Sequence, residues 1–256
     1  MAKVKCEKCG KEVGFVSQVK LCDGVFICKD CYKEAGSIFN NMDHGYATYE
    51  KLIEQQKQDK NVFEEVIKKN KIKKTKTAVS GSGNLYMRCY EDVGLIVFVR
   101  EKGGFMGIGT KSTYNVYRYA DLARYEFASG RTMLNHSAGD AKQYIEFTFQ
   151  GDYAVPTIYF EEEEKEFRKL ATYFNDCFGI ASAELSSFRG FKERGKQQFA
   201  AASSAMKGLK SLANGEKEAA AGHLVDTLTA AIQGDRTKWI EKTNMALQRA
   251  GIEWNR

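Results

Sequence analysis

Four cysteines near the N-terminus have the types and spacing of a metal site. Cys6 and Cys9 form one CxxC pair, Cys28 and Cys31 form a second, and eighteen residues separate the two pairs. Each CxxC turn can direct two thiolates at one ion, and two such turns complete a tetrahedral site. A catalytic zinc keeps one position open for substrate, whereas four thiolates leave none. The spacing therefore predicts one structural Zn²⁺ bound by these four cysteines.

Other roles for the thiols fit the pattern less well. A thioredoxin-like redox pair needs a single CxxC at the start of a helix within a βαβ unit. Cys22 lies between the two pairs and is expected to be a bystander, and His44 would be a ligand only if one of the four cysteines were not. A module this small cannot fold on apolar burial alone, so metal binding is expected to supply its folding energy.

The segments around the cysteines predict a hairpin and a helix. The runs VGFVSQVKL and GVFIC read as two short strands joined at Cys22-Asp23-Gly24, and KDCYKEAGSIF reads as a short helix. The stretch CEKCGKEVGFVSQVKLCDGVFICKDC resembles a small N-terminal zinc-ribbon family of uncharacterised bacterial proteins. That resemblance implies metal binding by the four cysteines and implies no activity. Members of such families often carry the module in front of membrane-associated or PH-like domains.

Residues 43–70 favour helix and end in a basic cluster. Tyr49, Leu52 and Ile53 recur at helical spacing, as do apolar residues near position 65. The basic cluster has six lysines, namely Lys68, Lys69, Lys71, Lys73, Lys74 and Lys76. These could hold phosphates of nucleic acid or of lipid headgroups. No aromatic or arginine residue is interleaved with them, so a solvated linker is the favoured interpretation.

Between residues 85 and 178 the pattern changes to short strands and then one helix. LYMRCYED, GLIVFVREK, TYNVYRYADLARYEFAS, KQYIEFTFQ and AVPTIYF are rich in β-branched and aromatic residues, with turn-prone pieces between them. EEEEKEFRKLATYFNDCF follows, with an apolar stripe at Phe167, Leu170, Phe174 and Phe178. Strands followed by one capping helix resemble a pleckstrin-homology-like (PH-like) barrel, and YRYADLARYEF resembles a strand pair of bacterial PH-like domains. The loop REKGGFMGIGTKS, with Arg100, Lys102 and Lys111, lacks the context of a P-loop. It is a candidate loop for contact with lipid or a partner, and a flexible hairpin without such a role is an equal alternative.

The C-terminal part is predicted to be helical. Three stripes at helical spacing begin at Phe199, Leu224 and Trp239, and are expected to be core rather than a dimer surface. The predicted fold class is multidomain α+β. Its parts are a zinc ribbon (1–36), a helical linker with the lysine cluster (37–77), a PH-like β-barrel with capping helix (78–179) and a helical tail (180–256).

Composition and motifs point away from catalysis and export. The three histidines, His44, His136 and His223, fall in different predicted regions, and no nucleophile motif or histidine–carboxylate metal set is present. The charged N-terminus has no apolar signal segment and no run could span a bilayer, so a cytoplasmic protein with reduced thiols is expected. We expect a non-catalytic adaptor that binds another macromolecule, a protein in the first place. Nucleic acid, an anionic membrane surface and a homodimer through the C-terminal helices remain alternatives.

Overall fold

The computed structural model describes residues 3–36, 38–81, 85–102, 111–129, 143–179, 228–231 and 234–254. They form a mixture of helices and small sheets, and within these residues no sheet closes into a barrel. The N-terminal ribbon contains β1 (Val4–Lys5), β2 (Glu12–Val13), β3 (Gln18–Lys20), β4 (Phe26–Cys28) and α1 (Lys29–Glu34). Strands β1 and β2 pair antiparallel, as do β3 and β4, around the predicted turn at Cys22–Gly24.

Two four-stranded sheets make up the body of the protein. The first sheet has the order β5 (Lys76–Val79), β6 (Leu85–Tyr90), β7 (Leu95–Lys102) and β8 (Lys111–Arg118). The second has the order β11 (Thr157–Glu161), β10 (Gln143–Phe149), β9 (Leu122–Ser129) and β12 (Leu228–Ala231). All neighbouring pairs are antiparallel. The run TYNVYRYADLARYEFAS contributes one strand to each sheet, because a 3₁₀ turn at Tyr119–Asp121 redirects the chain.

The first sheet is buried on both faces. Ile96 and Phe98 point into the core shared with the second sheet, where Phe98 contacts the rings of Phe147 and Phe160. Leu95, Val97 and Val99 point the other way into a second core formed with the helices. Every residue from Leu95 to Val99 is at most 1% exposed, which explains the unbroken apolar run in place of an alternating one.

Helix α2 (Tyr46–Val62), which continues as a π-helical turn over Phe63–Lys68, covers one edge of the first sheet. The fully buried Asp59 carboxylate accepts the β8 backbone N–H of Val116 at 2.9 Å. The ring of Phe63 stacks on Tyr114 at 4.2 Å between centroids. The helix predicted as a linker thus protects an edge strand and packs into the body.

Helix α3 (Glu164–Cys177) follows β11 and packs on the second sheet, as the sequence predicts. Its stripe residues Phe167, Leu170 and Phe174 are at most 1% exposed, and Phe178 just beyond it is 3% exposed. Tyr125 of β9 donates a hydrogen bond from its hydroxyl to the Ala171 carbonyl at 3.2 Å. The predicted capping helix is confirmed in its position and in its buried face.

Over residues 228–231 and 234–254, which the structure describes, the C-terminal part departs from the helical prediction at one place. Helix α4 (Thr237–Ala250) is present and buries Trp239, Thr243 and Leu247. Leu228, however, lies in strand β12, so the predicted helical stripe Leu224–Leu228–Ile232 is wrong at this residue. The free edge of β9 offers backbone hydrogen bonds that override the local helical spacing. The stripe that begins at Phe199 lies outside the described residues.

Candidate metal centre

The two CxxC turns and strand β4 bring the four predicted cysteines together. The Sγ atoms of Cys6, Cys9, Cys28 and Cys31 all lie within 4.8 Å of one another, and those of Cys9 and Cys28 are 3.9 Å apart. A tetrahedral zinc with bonds of about 2.3 Å needs sulfur–sulfur distances of about 3.8 Å. The four thiols therefore fit one metal ion, and they form a candidate metal site with no position left for substrate.

Local backbone geometry explains how the turns form. After the first pair, Gly10 has a φ of +73° and donates its N–H to the Cys6 carbonyl at 2.8 Å. A glycine reaches this left-handed conformation without the strain that a side chain would cause. The Glu7 N–H donates to the Phe26 carbonyl at 3.0 Å, which ties the first turn to the strand that carries the second pair.

Burial and hydrogen bonds set the electrostatics of the site. Three of the thiols are buried and only Cys9 is exposed. Burial acts to raise the pKa of Cys6, but N–H groups of Cys9 and Cys28 outweigh it and lower that pKa to about 7. The Cys28 N–H lies 3.1 Å from the Cys6 sulfur. Burial raises the pKa of Cys31 because it disfavours the charged thiolate, and the hydrogen bonds with the neighbouring thiols raise it further.

Helix α2 is joined to the ribbon by hydrogen bonds, including one from Gln56 Nε2 to the Ala35 carbonyl and two nearer its N-terminus. The Asp23 carboxylate, in the turn between β3 and β4, accepts the Tyr46 N–H at the start of α2 at 2.6 Å. One turn later, the buried Tyr49 hydroxyl donates to the Cys31 carbonyl at 3.1 Å. A carboxylate at a helix N-terminus satisfies a free N–H and interacts favourably with the helix dipole. The sequence pattern places Asp23 in a turn and Tyr49 on a helix, but it does not predict that either residue joins α2 to the ribbon.

The two residues considered as stand-in ligands lie outside the cluster. Cys22 is exposed at the hairpin turn and is absent from the group of four sulfurs. His44 accepts the Asn40 N–H on Nδ1 at 3.1 Å and packs on the Phe39 ring. Burial lowers the pKa of His44, which favours its neutral form. His136 and His223 lie outside the described residues.

Two of the six lysines predicted as a possible anion site form ion pairs within their own helix. Lys68 and Lys69 pair with Glu64 and Glu65 one helical turn earlier, at 2.7 Å and 2.8 Å. Lys76 is half-buried in β5. The remaining three, Lys71, Lys73 and Lys74, are exposed in the connection to that strand. The helix ion pairs neutralise part of the charge that the sequence suggested.

The glycine-rich loop lies between β7 and β8. Register pairs Lys102 with Lys111 at its two ends, so the predicted hairpin is present, and Arg100 lies on β7 opposite Thr113. The loop itself, residues 103–110, lies outside the described residues.

Among the residues that the structure describes, the most exposed large apolar side chains lie on the ribbon. Phe15 and Val16 are 71% and 76% exposed, in a 3₁₀ turn between β2 and β3. The Ser17 N–H closes this turn on the Gly14 carbonyl at 2.9 Å. The sequence analysis assigned these residues to a strand, so the projecting turn is a feature that it missed.

Comparison with known proteins places the ribbon and the start of α2 in one unit. Residues 5–55 match a family described as a domain of unknown function, DUF4428. The match extends beyond Cys31, the last cysteine of the cluster, through the first ten residues of α2, which include Tyr46 and Tyr49. Neither a curated protein nor a solved structure matches the chain. No helix in the described part of the chain has the length and apolarity that crossing a membrane requires.

Proposed function

We propose that the protein is a non-catalytic, zinc-binding adaptor whose activity is to bind another protein. The observation that carries the proposal is the exposed pair Phe15 and Val16, more than 70% exposed, on a turn of the same ribbon that contains the four-cysteine cluster. Adjacent exposed apolar side chains favour contact with an apolar partner surface, because burying them removes apolar area from water. The metal would then stabilise the fold of the ribbon that presents this turn.

Zinc is the proposed ion, and its proposed role is structural. Four thiolates in a tetrahedral arrangement are the donor set that zinc prefers, and they leave no open coordination position. The ribbon buries few large side chains of its own, Leu21 and Ile27 among them, so its fold depends on the metal. None of the seven cysteines forms a disulfide, which supports a reducing compartment such as the cytoplasm.

For the body of the protein we propose a PH-like architecture over residues 78–179. Two antiparallel sheets share one aromatic core, and α3 follows the last consecutive strand. The Gly81 N–H donates to the Glu161 carbonyl at 2.8 Å, which joins the end of β5 to the end of β11 at one corner. PH-like folds bind lipid headgroups, peptides or other domains, so this architecture supports a binding function but does not identify the ligand.

A pull-down from native lysate, with and without nuclease, tests the adaptor function. Wild type is compared with Phe15→Ser/Val16→Ser, and Ile240→Ser, which changes a 47% exposed apolar residue on α4, is the matched control. We expect a defined protein partner that survives nuclease, is lost with the double variant and is kept with the control.

Two results would contradict this proposal. Capture that is unchanged by the double variant would remove the ribbon turn from the interface. Nucleic acid in the eluate, with binding lost in Lys71→Glu/Lys73→Glu/Lys74→Glu and falling steeply with salt, would make the protein a nucleic-acid binder instead.

A further inference from the structure

The inner face of the first sheet carries a row of polar side chains beside the apolar core. Strand β8 places Thr113 and Asn115 on the same face as the core residue Tyr117, and the register sets Arg100 and Phe98 of β7 beside the first two. We call Arg100, Thr113 and Asn115 the β8 polar row. Asn115 is 0% exposed, although the residue paired with it is a core phenylalanine. Burial of an amide is unfavourable unless hydrogen bonds replace those it made with water, so this asparagine requires an explanation.

The buried members of the row do not use their hydrogen-bonding groups within the chain. Among the residues that the structure describes, neither side-chain atom of Asn115 has a hydrogen-bond partner, and the buried Thr113 hydroxyl has none either. By contrast, the buried Asp59 on the facing helix α2 accepts the Val116 N–H at 2.9 Å. Asn115 therefore offers a donor and an acceptor, and Thr113 a hydroxyl, to a group that is not part of the described chain.

The ribbon covers the row at its Thr113 end. Gly36, between α1 and α2, has a φ of +81°, and an added Cβ would lie 3.2 Å from the Thr113 hydroxyl oxygen and 2.8 Å from Gln56 Nε2. Glycine adopts this conformation without strain, and any other residue would press on the unpartnered hydroxyl. The row thus lies at the junction between the body and the unit of ribbon and α2 that matches the family model.

Arg100 gives the row a positive charge at its outer end. Cross-strand neighbours on one face have Cβ atoms about 4.5–5.5 Å apart, so Arg100 is adjacent to Thr113. Arg100 is half-buried, and its guanidinium has no hydrogen bond or ion pair with any residue in the described part of the chain. Burial raises the pKa of the Tyr32 hydroxyl in α1, and the charge of Arg100 acts against this rise, which directs the guanidinium field towards the ribbon. A half-buried guanidinium without a carboxylate is suited to bind a carboxylate or phosphate group.

We infer that the β8 polar row is the binding site of a small organic oxyanion that also carries an amide-like group. The carboxylate or phosphate pairs with Arg100 at the half-buried end, and the amide exchanges hydrogen bonds with Asn115 at the fully buried end. Asn115 lies two residues beyond Thr113, so the two ends of the ligand are about 7 Å apart. A few placed polar groups in apolar surroundings are typical of small-molecule sites. The inference goes beyond the proposed adaptor function and does not depend on it.

Glutaramate, a straight-chain carboxylate with a terminal carboxamide, is the probe for the site. It is titrated into the zinc-loaded full chain, and the side-chain Nδ2–H resonances of Asn115, assigned by their loss in Asn115→Leu, are followed by NMR. Pentanoate lacks the amide and pentanamide lacks the charge. We expect glutaramate to shift these resonances and to bind at least about tenfold more tightly than either control, because each control leaves a buried group unpaired.

The phosphonate analogue of glutaramate distinguishes the two oxyanions. The tighter binder of the two identifies the anion, and either order supports the site. Absence of a shift with both compounds at millimolar concentration would overturn the inference. Equal binding of glutaramate, pentanoate and pentanamide would show non-specific adhesion and would overturn it as well.

Variants test the role of each end of the row. Arg100→Met keeps an apolar stem and removes the charge, so it should weaken glutaramate binding at least about tenfold. Arg249→Met, which changes an exposed arginine on α4, is the matched control and should bind like wild type. Asn115→Leu should abolish the preference for glutaramate over pentanoate. Unchanged glutaramate binding by Arg100→Met would refute the assignment of the anion.

Stability without any ligand provides an independent test. Asn115→Leu should raise the Tm by about 2–4 °C, because an unpaired buried amide is replaced by apolar atoms of similar size. Asn175→Leu is the control, since this 5% exposed asparagine accepts the Tyr125 hydroxyl at 2.5 Å, and its Tm should fall. A fall in the Tm of Asn115→Leu would show that the folded protein already satisfies the Asn115 amide, and the inference would then be wrong.

Discussion

Replacement of Cys9 by serine should remove the metal without disturbing the core. Cys6, Cys28 and Cys31 are at most 5% exposed, so serine at those positions would mix metal loss with a packing defect. Cys9 is exposed, although its sulfur lies only 3.9 Å from that of Cys28. Cys22 is exposed too, in the same ribbon, and is outside the cluster. Cys9→Ser and Cys22→Ser therefore form a matched pair.

The size of the effect follows from the number of ligands. Structural zinc in small modules contributes about 10–16 kcal/mol at neutral pH, so an even share is about 3 kcal/mol for each of four thiolates. Since about 1.4 kcal/mol is a factor of ten, Cys9→Ser should weaken zinc binding roughly a hundredfold. The ribbon should then unfold at lower chelator concentration than in wild type.

Metal content by mass spectrometry and competition with a chromophoric chelator measure this directly. We expect one zinc per chain in wild type and in Cys22→Ser, and loss of zinc from Cys9→Ser at moderate chelator concentration. Equal zinc retention by the two serine variants would refute the four-thiolate site. Loss of zinc from Cys22→Ser alone would refute the ligand set.

Three further changes test the contacts around the ribbon and the sheets. Gly94→Ala should lower the free energy of unfolding in urea titration by about 1–3 kcal/mol, because its φ is +62° and the new Cβ would lie 2.7 Å from the Thr243 hydroxyl oxygen of α4. Gly14→Ala is the control and should be close to neutral, because no atom lies within 4 Å of the new Cβ. Tyr49→Phe should lower the free energy of unfolding by about 1–2 kcal/mol and speed metal loss to a chelator, since the Cys31 carbonyl loses its hydroxyl donor. An unchanged rate of metal loss would show that α2 does not stabilise the metal site. The hydrogen bond from the α2 N-terminus lowers the pKa of Asp23. The ionised carboxylate therefore stabilises the fold fully above the ordinary aspartate pKa near 4, and this contribution is lost as the pH falls through the lowered pKa. The stability difference between wild type and Asp23→Asn should therefore shrink in acid, and a pH-independent difference would contradict this.

The cysteine cluster is the feature that the sequence alone determined most fully. Ligand type, number and spacing are local properties of two short turns, and metal geometry admits few arrangements of them. The strands, the buried stripe of α3 and the Trp239 face of α4 were also predictable, because periodicity of apolar residues reports directly which side is buried. The Leu95–Val99 run signalled burial on both faces, although it did not say which helices supply the second layer.

Other features depend on contacts between distant parts of the chain, and only the tertiary structure decided them. Asp59 and Tyr49 look like ordinary helix residues until α2 lies against β8 and the ribbon. The lysine cluster looked like one patch, but helical geometry pairs two of its members with glutamates. Leu228 lies in a strand because a free sheet edge is available to it, which no local pattern encodes. Short-range spacing fixes ligands and faces, whereas long-range hydrogen bonding decides which segment fills an edge.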